Sequence, residues 1–171
     1  MRIFSIILVL FFSTLASCKH DRGYVRELKS FIGTELVIDK TCLIPINTDY
    51  SVLNSEYKFI LYMDSIIVCS SCWPQTIREV ERHLGQLKGR VTPIIIFNSN
   101  DIRTIKLHLD INDVKVPSFL DVDESIKKNN KYFPKMEYLK SCLLKGDTVV
   151  VVGNPFNNSN LMEVYKRVLY D

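Results

Sequence analysis

Apolar residues along this chain fall in blocks whose spacing alternates between helical and strand periods. Ile3 to Phe12 is apolar except for Ser5, follows Arg2, and gives way to small residues before Cys18. The run is too short for a membrane-spanning helix, which needs about 20 apolar residues; its charged start and small-residue end predict a secretory signal. Val25, Leu28 and Ile32 recur at helical spacing and predict a short amphipathic helix closed by Gly33. Glu35–Ile38 reads as a short strand, and 39–55, with Pro45 and several Asn, Thr, Asp and Ser, as an irregular connection.

Tyr57–Met63 is rich in aromatic and β-branched residues and predicts a buried strand. Trp73, Ile77, Val80, Leu84 and Leu87 form one apolar stripe, a helix stopped by Gly89. Val91–Phe97 is almost continuously apolar, which predicts a strand covered on both faces. Ile102, Ile105 and Leu109 mark a short helix, and Val116–Leu120 a strand begun by Pro117. Leu143–Val152 reads as a hairpin turning at Lys145-Gly146-Asp147 and ended by Gly153-Asn154-Pro155. Leu161, Val164, Tyr165, Val168 and Leu169 predict a closing helix. Strand–helix crossovers favour parallel pairing, and the hairpin adds antiparallel strands. The expected fold class is therefore α/β, a three-layer sandwich with a central mixed sheet flanked by helices.

Composition narrows the class. The 171 residues are 47% hydrophobic and 24% charged, which excludes a disordered, collagenous or multi-span membrane chain. The length suits one domain with a core large enough to hold without staples. A net charge of +3 is too balanced to predict nucleic-acid binding. The five cysteines, Cys18, Cys42, Cys69, Cys72 and Cys142, are an odd number and demand separate uses.

Leu15-Ala16-Ser17-Cys18 resembles the lipobox of bacterial lipoproteins. The resemblance implies a signal peptide at 1–17, lipidation of Cys18, and a protein held on the cell envelope, on the periplasmic side. Lys19 after the cysteine favours the outer membrane. Acyl chains anchor stably, and disulfides persist in that compartment. Residues 18–55 are then a tether, short helix and N-terminal extension, and 56–171 the main domain.

Cys69-Ser70-Ser71-Cys72 stands between the second predicted strand and its helix. Two intervening residues bring the sulfurs within bonding reach. The positive helix N-terminus favours a thiolate at Cys69, and Cys72, one turn on, is the natural resolving thiol. Zinc sites also use such pairs, but Cys42 and Cys142 are isolated, His20 lies in the tether and His83 lies beside an apolar stripe. An inert disulfide is the other alternative, although so tight a loop constrains little unfolded-state entropy.

Together, the strand before Cys69, the Cys-Ser-Ser-Cys motif and Val116-Pro117 resemble the thioredoxin fold. The chain is similar to membrane-anchored thiol–disulfide oxidoreductases of bacterial envelopes, related to the thiol-specific antioxidant superfamily, over about residues 56 to 170. The resemblance implies Cys69 as nucleophile, Cys72 as resolving thiol, Pro117 as a cis proline facing the disulfide, and Val116 offering its backbone to substrate. A trans proline at a strand edge is the alternative. It also implies a carboxylate proton relay. Asp64 lies one position off the usual spacing, and a polar strand end explains it equally well. No metal or cofactor is implied.

There are departures from the family pattern. Ile67-Val68 stand where a Trp is usual, Trp73 follows Cys72, and Ser70-Ser71 replace Gly-Pro. Peroxidase relatives need a Thr at the position of Ile66, and copper-chaperone relatives need a late His where His108 comes too early. The leading expectation is an oxidoreductase acting on exported protein thiols, not a peroxidase, with disulfide-bearing exported proteins and a membrane or periplasmic electron donor as partners. The alternative is a non-catalytic binding lipoprotein on the same scaffold. Cys42 and Cys142 are open between a disulfide and buried thiols.

Overall fold

The computed structural model describes residues 23–64, 72–85, 87, 89–135, 140–156 and 158–171, with backbone alone at 72–74 and 85. The expected signal segment, Cys18, Cys69 and the side chain of Cys72 lie outside the described residues. Helix α1 covers 23–31. Then come β1 (Leu43–Pro45), β2 (Tyr57–Asp64), α2 (Cys72–Gly85), β3 (Thr92–Asn98), α3 (Ile102–Ile111) and β4 (Ser118–Asp121). The chain ends with α4 (Ser125–Asn129), β5 (Ser141–Lys145), β6 (Thr148–Val152) and α5 (Ser159–Tyr170).

The strands form one mixed sheet in the order β1-β4-β3-β2-β5-β6. β2, β3 and β4 run parallel, while β1, β5 and β6 pair antiparallel with their neighbours. This is a thioredoxin-like α/β fold. Strand periodicity divides the core in two. Phe59 and Leu61 of β2 and Ile95 and Phe97 of β3 face Ile77, Val80 and Leu84 of α2, Ile105 of α3 and Tyr165 of α5. Ile60, Tyr62, Ile94 and Ile96 face Phe31, Leu36, Leu53 and Ile126.

The second half-core includes residues before β2, so the N-terminal extension is an integral layer of the fold. The strand expected at Glu35–Ile38 is one bridge, Glu35 to Thr148. The ladder stops there because Asn130 takes over: its Oδ1 accepts the Val37 N–H at 2.8 Å and its Nδ2 donates to the Val37 carbonyl at 2.9 Å. β1 was not expected. Three residues including a proline carry no readable alternation, and pairing with β4 defines them as a strand. The hairpin turns at Gly146 with φ +58°. Cys142 lies buried in β5 and Cys42 closes a 3₁₀ turn; both are free thiols, so the disulfide alternative is not taken.

Candidate functional site

In a parallel β–α–β unit the loop after each strand opens at the carboxyl edge of the sheet, where ligand sites gather. β2 reaches that edge at Asp64 and α2 begins at Cys72, so in sequence Cys69-Ser70-Ser71 fall between these two elements. Asn98 ends β3 opposite Asp64, and Asp121 ends β4. β5 runs the other way and starts at the same edge, with the Lys140 carbonyl accepting the Tyr62 N–H at 2.9 Å.

The Asp64 carboxylate organises these ends. Its Oδ1 accepts from Asn98 Nδ2 at 2.7 Å and from Lys127 Nζ at 2.5 Å, and its Oδ2 from Lys140 Nζ at 2.6 Å. Partial burial alone raises its pKa, but the bonds from Lys127, Lys140 and Asn98 outweigh this and hold it at about 2. Glu124, exposed, accepts from Asn98 at 3.0 Å and pairs with Lys127 at 3.3 Å. Behind them Asp121 is fully buried. It accepts the Ser125 N–H and hydroxyl at 2.7 and 2.8 Å, the Ile126 N–H at 3.0 Å and the Tyr62 hydroxyl at 3.2 Å. It thereby starts α4 and fixes the segment that carries Lys127.

Beside Asp64 lies a cleft of about 370 Å³ lined by Lys127, Asn130, Lys131, Phe133, Pro134, Lys135 and Lys140. Phe133 is held in place by edge contacts to Phe31 and Tyr62. Among the described residues, no group of His, Cys, Asp or Glu is disposed to hold a metal ion.

One expectation is corrected, that for Val116-Pro117. No cis peptide occurs among the described residues, so Pro117 is trans, the isomer an X–Pro bond favours intrinsically. It stands just before β4, with β3 between it and β2, and at the end of β4 remote from Asp121. Its carbonyl accepts the Ile95 N–H, and the Val116 carbonyl accepts from Asn47 and Ser118, so both are committed to the fold. The strand beside β2 on the hairpin side is β5, opened by Ser141. Asp64, the carboxylate considered as a proton relay, is bonded to Asn98, Lys127 and Lys140.

Lys127, Lys131, Lys135 and Lys140 were not singled out from sequence. Their signal is local: they cluster between residues 127 and 140, within a chain whose total charge is near balance.

No family model matches the chain, and no curated protein matches it in sequence. Among solved structures it is similar to the thioredoxin domain of a thiol-disulfide oxidoreductase from Bacteroides vulgatus (TM-score 0.57, 8% identity, 81% of this chain and 97% of that chain covered). A thiol:disulfide interchange protein from a Bacteroides species gives TM-score 0.57 at 9% identity, covering 82% of this chain and 91% of that one. A peroxidoxin from Mycobacterium tuberculosis gives 0.55 at 12% identity, covering 82% and 98%. At these identities the likeness is one of fold.

Proposed function

We propose that the chain is a thiol–disulfide oxidoreductase of a bacterial cell envelope, lipid-anchored at Cys18 and acting on exported proteins through Cys69 and Cys72. The observation that carries this reading is the position of Cys69-Ser70-Ser71-Cys72, which leads from the carboxyl end of β2 into α2 on a thioredoxin-like fold. Fold neighbours described as thiol-disulfide oxidoreductases support it. The thiolate of Cys69 attacks one sulfur of a substrate disulfide and forms a mixed disulfide, while the other substrate sulfur leaves as thiolate. The Cys72 thiolate then attacks the Cys69 sulfur and releases the second substrate thiolate. Two electrons pass to the substrate, the pair is left as a Cys69–Cys72 disulfide, and an envelope electron donor reduces it again. The reverse sequence oxidises substrates, and the reduction potential of the pair selects between them.

Full-length protein in non-ionic detergent tests this with dithiothreitol as donor and insulin as disulfide substrate. Wild type accelerates insulin reduction, Cys69→Ala does not, and Cys72→Ala accumulates covalent mixed disulfides. Absence of exchange in wild type defeats the enzyme reading and leaves a binding lipoprotein. Peroxide consumption that survives Cys72→Ala places the chain with the peroxidoxin-like neighbours instead. For the anchor, Cys18→Ala moves the protein out of the membrane fraction.

A further inference from the structure

We propose that the lysine-lined cleft beside Asp64 grips an acidic segment of the substrate protein, carboxylate side chains lying close in sequence to the disulfide being exchanged. The inference rests on the function proposed above for its premise that the substrate is a protein chain.

Four lysines line the cleft against the carboxylate of Asp64. Asp64 is already engaged by Lys127 and Lys140. Lys131 and Lys135 are exposed, and neither forms an ion pair with a carboxylate among the described residues. Glu27, whose carboxylate accepts the Lys135 N–H, and Glu124, paired with Lys127, offset part of the charge, and the Lys131 and Lys135 ammonium groups leave the open side positive. Its floor is set: the Asn130 amide is spent on Val37 and on the Ile126 carbonyl, and Phe133 is wedged against Phe31 and Tyr62. Charge beside an apolar wall suits a peptide better than a small ion.

The cations are all lysine. An ammonium is a point charge on a flexible stem, without the fork that makes arginine selective for one planar anion. Such a set accepts carboxylates at varied spacing, as different substrate chains would present them. Position fits as well. Asp64 is five residues before Cys69, a chain reach of at most about 18 Å. An extended substrate peptide covers that span in about five residues.

The test uses full-length protein in non-ionic detergent and a labelled, cysteine-free peptide carrying four glutamates. Wild type binds it by fluorescence polarisation, the glutamine version of the peptide binds at least tenfold more weakly, and Lys131→Glu/Lys135→Glu loses at least tenfold. Raising salt from 0.05 to 0.5 M weakens binding, since exposed charges are screened. Equal binding of wild type and the double variant overturns the proposal, as does displacement of the peptide by micromolar inorganic phosphate. Because the probe has no sulfur, its binding reads independently of disulfide exchange: an inert Cys69–Cys72 pair sinks the enzyme reading while this result stands or falls on its own.

Discussion

Lys140 Nζ and Asp64 Oδ2 lie 2.6 Å apart and join the residue just before β5 to the residue that ends β2. Lys140 is 7% exposed, and its ammonium is held against this carboxylate. Asp64→Asn keeps the shape but removes the countercharge, and it costs about 1–3 kcal/mol of stability. Urea unfolding at neutral pH measures this, with a cost under 0.5 kcal/mol counting against the assignment.

The same carboxylate makes stability depend on acid. Its folded pKa, about 2, lies below the ordinary aspartate value. Its contribution is complete above about pH 4 and is lost as pH falls from there through about 2. In that window the stability of wild type falls more steeply with acidification than that of Asp64→Asn. Parallel curves would contradict the ion-pair account.

Asp121 and Tyr62 separate a structural hub from one of its spokes. Removing the carboxylate by Asp121→Ala strands the Ser125 and Ile126 N–H groups and two hydroxyls, and costs about 3–5 kcal/mol. Tyr62→Phe removes one bond and costs about 1 kcal/mol. Paired denaturation curves should keep that ratio.

Thiol reactivity divides the two cysteines of the described core. Burial pushes the Cys142 thiol up to about 12, so it is protonated and shielded at pH 8, whereas Cys42 is partly exposed. In a Cys18→Ala/Cys69→Ala/Cys72→Ala protein, a thiol reagent at pH 8 modifies Cys42 promptly and Cys142 only after urea is added. Prompt modification of both would show that β5 opens readily.

Gly153 has φ +111°, and a Cβ there would stand 3.1 Å from the Leu161 side chain. Its carbonyl also accepts the Tyr165 hydroxyl at 2.8 Å. Gly153→Ala strains the junction of β6 and α5 and lowers stability by about 1–3 kcal/mol, read as a drop in Tm.

The segments legible in sequence were those with long periodic patterns. β2 and β3 announce themselves as compact apolar runs, α2 and α5 as apolar stripes at helical spacing. What escaped was set by specific partners rather than by a pattern. β1 exists through distant β4, the strand expected at Val37 is replaced by the distant amide of Asn130, and α4 is started by the nearby side chain of Asp121. The site divides in the same way. The cysteine motif is visible in four residues, whereas the lysine cleft appears only when Lys127, Lys131, Lys135 and Lys140 are brought together beside Asp64 at the end of β2. Val116-Pro117 misled because a proline before a strand looks the same whichever side of the sheet that strand joins.

Helix α1 begins at residue 23, five positions after Cys18, and delivers Phe31 into the core. With the lipid proposed at Cys18, five residues of chain place α1 at most about 18 Å from it. The domain would then work within roughly its own radius of the bilayer. It would meet its clients in two dimensions: proteins emerging from or resting on that surface are in reach, and those that diffuse away from it are not.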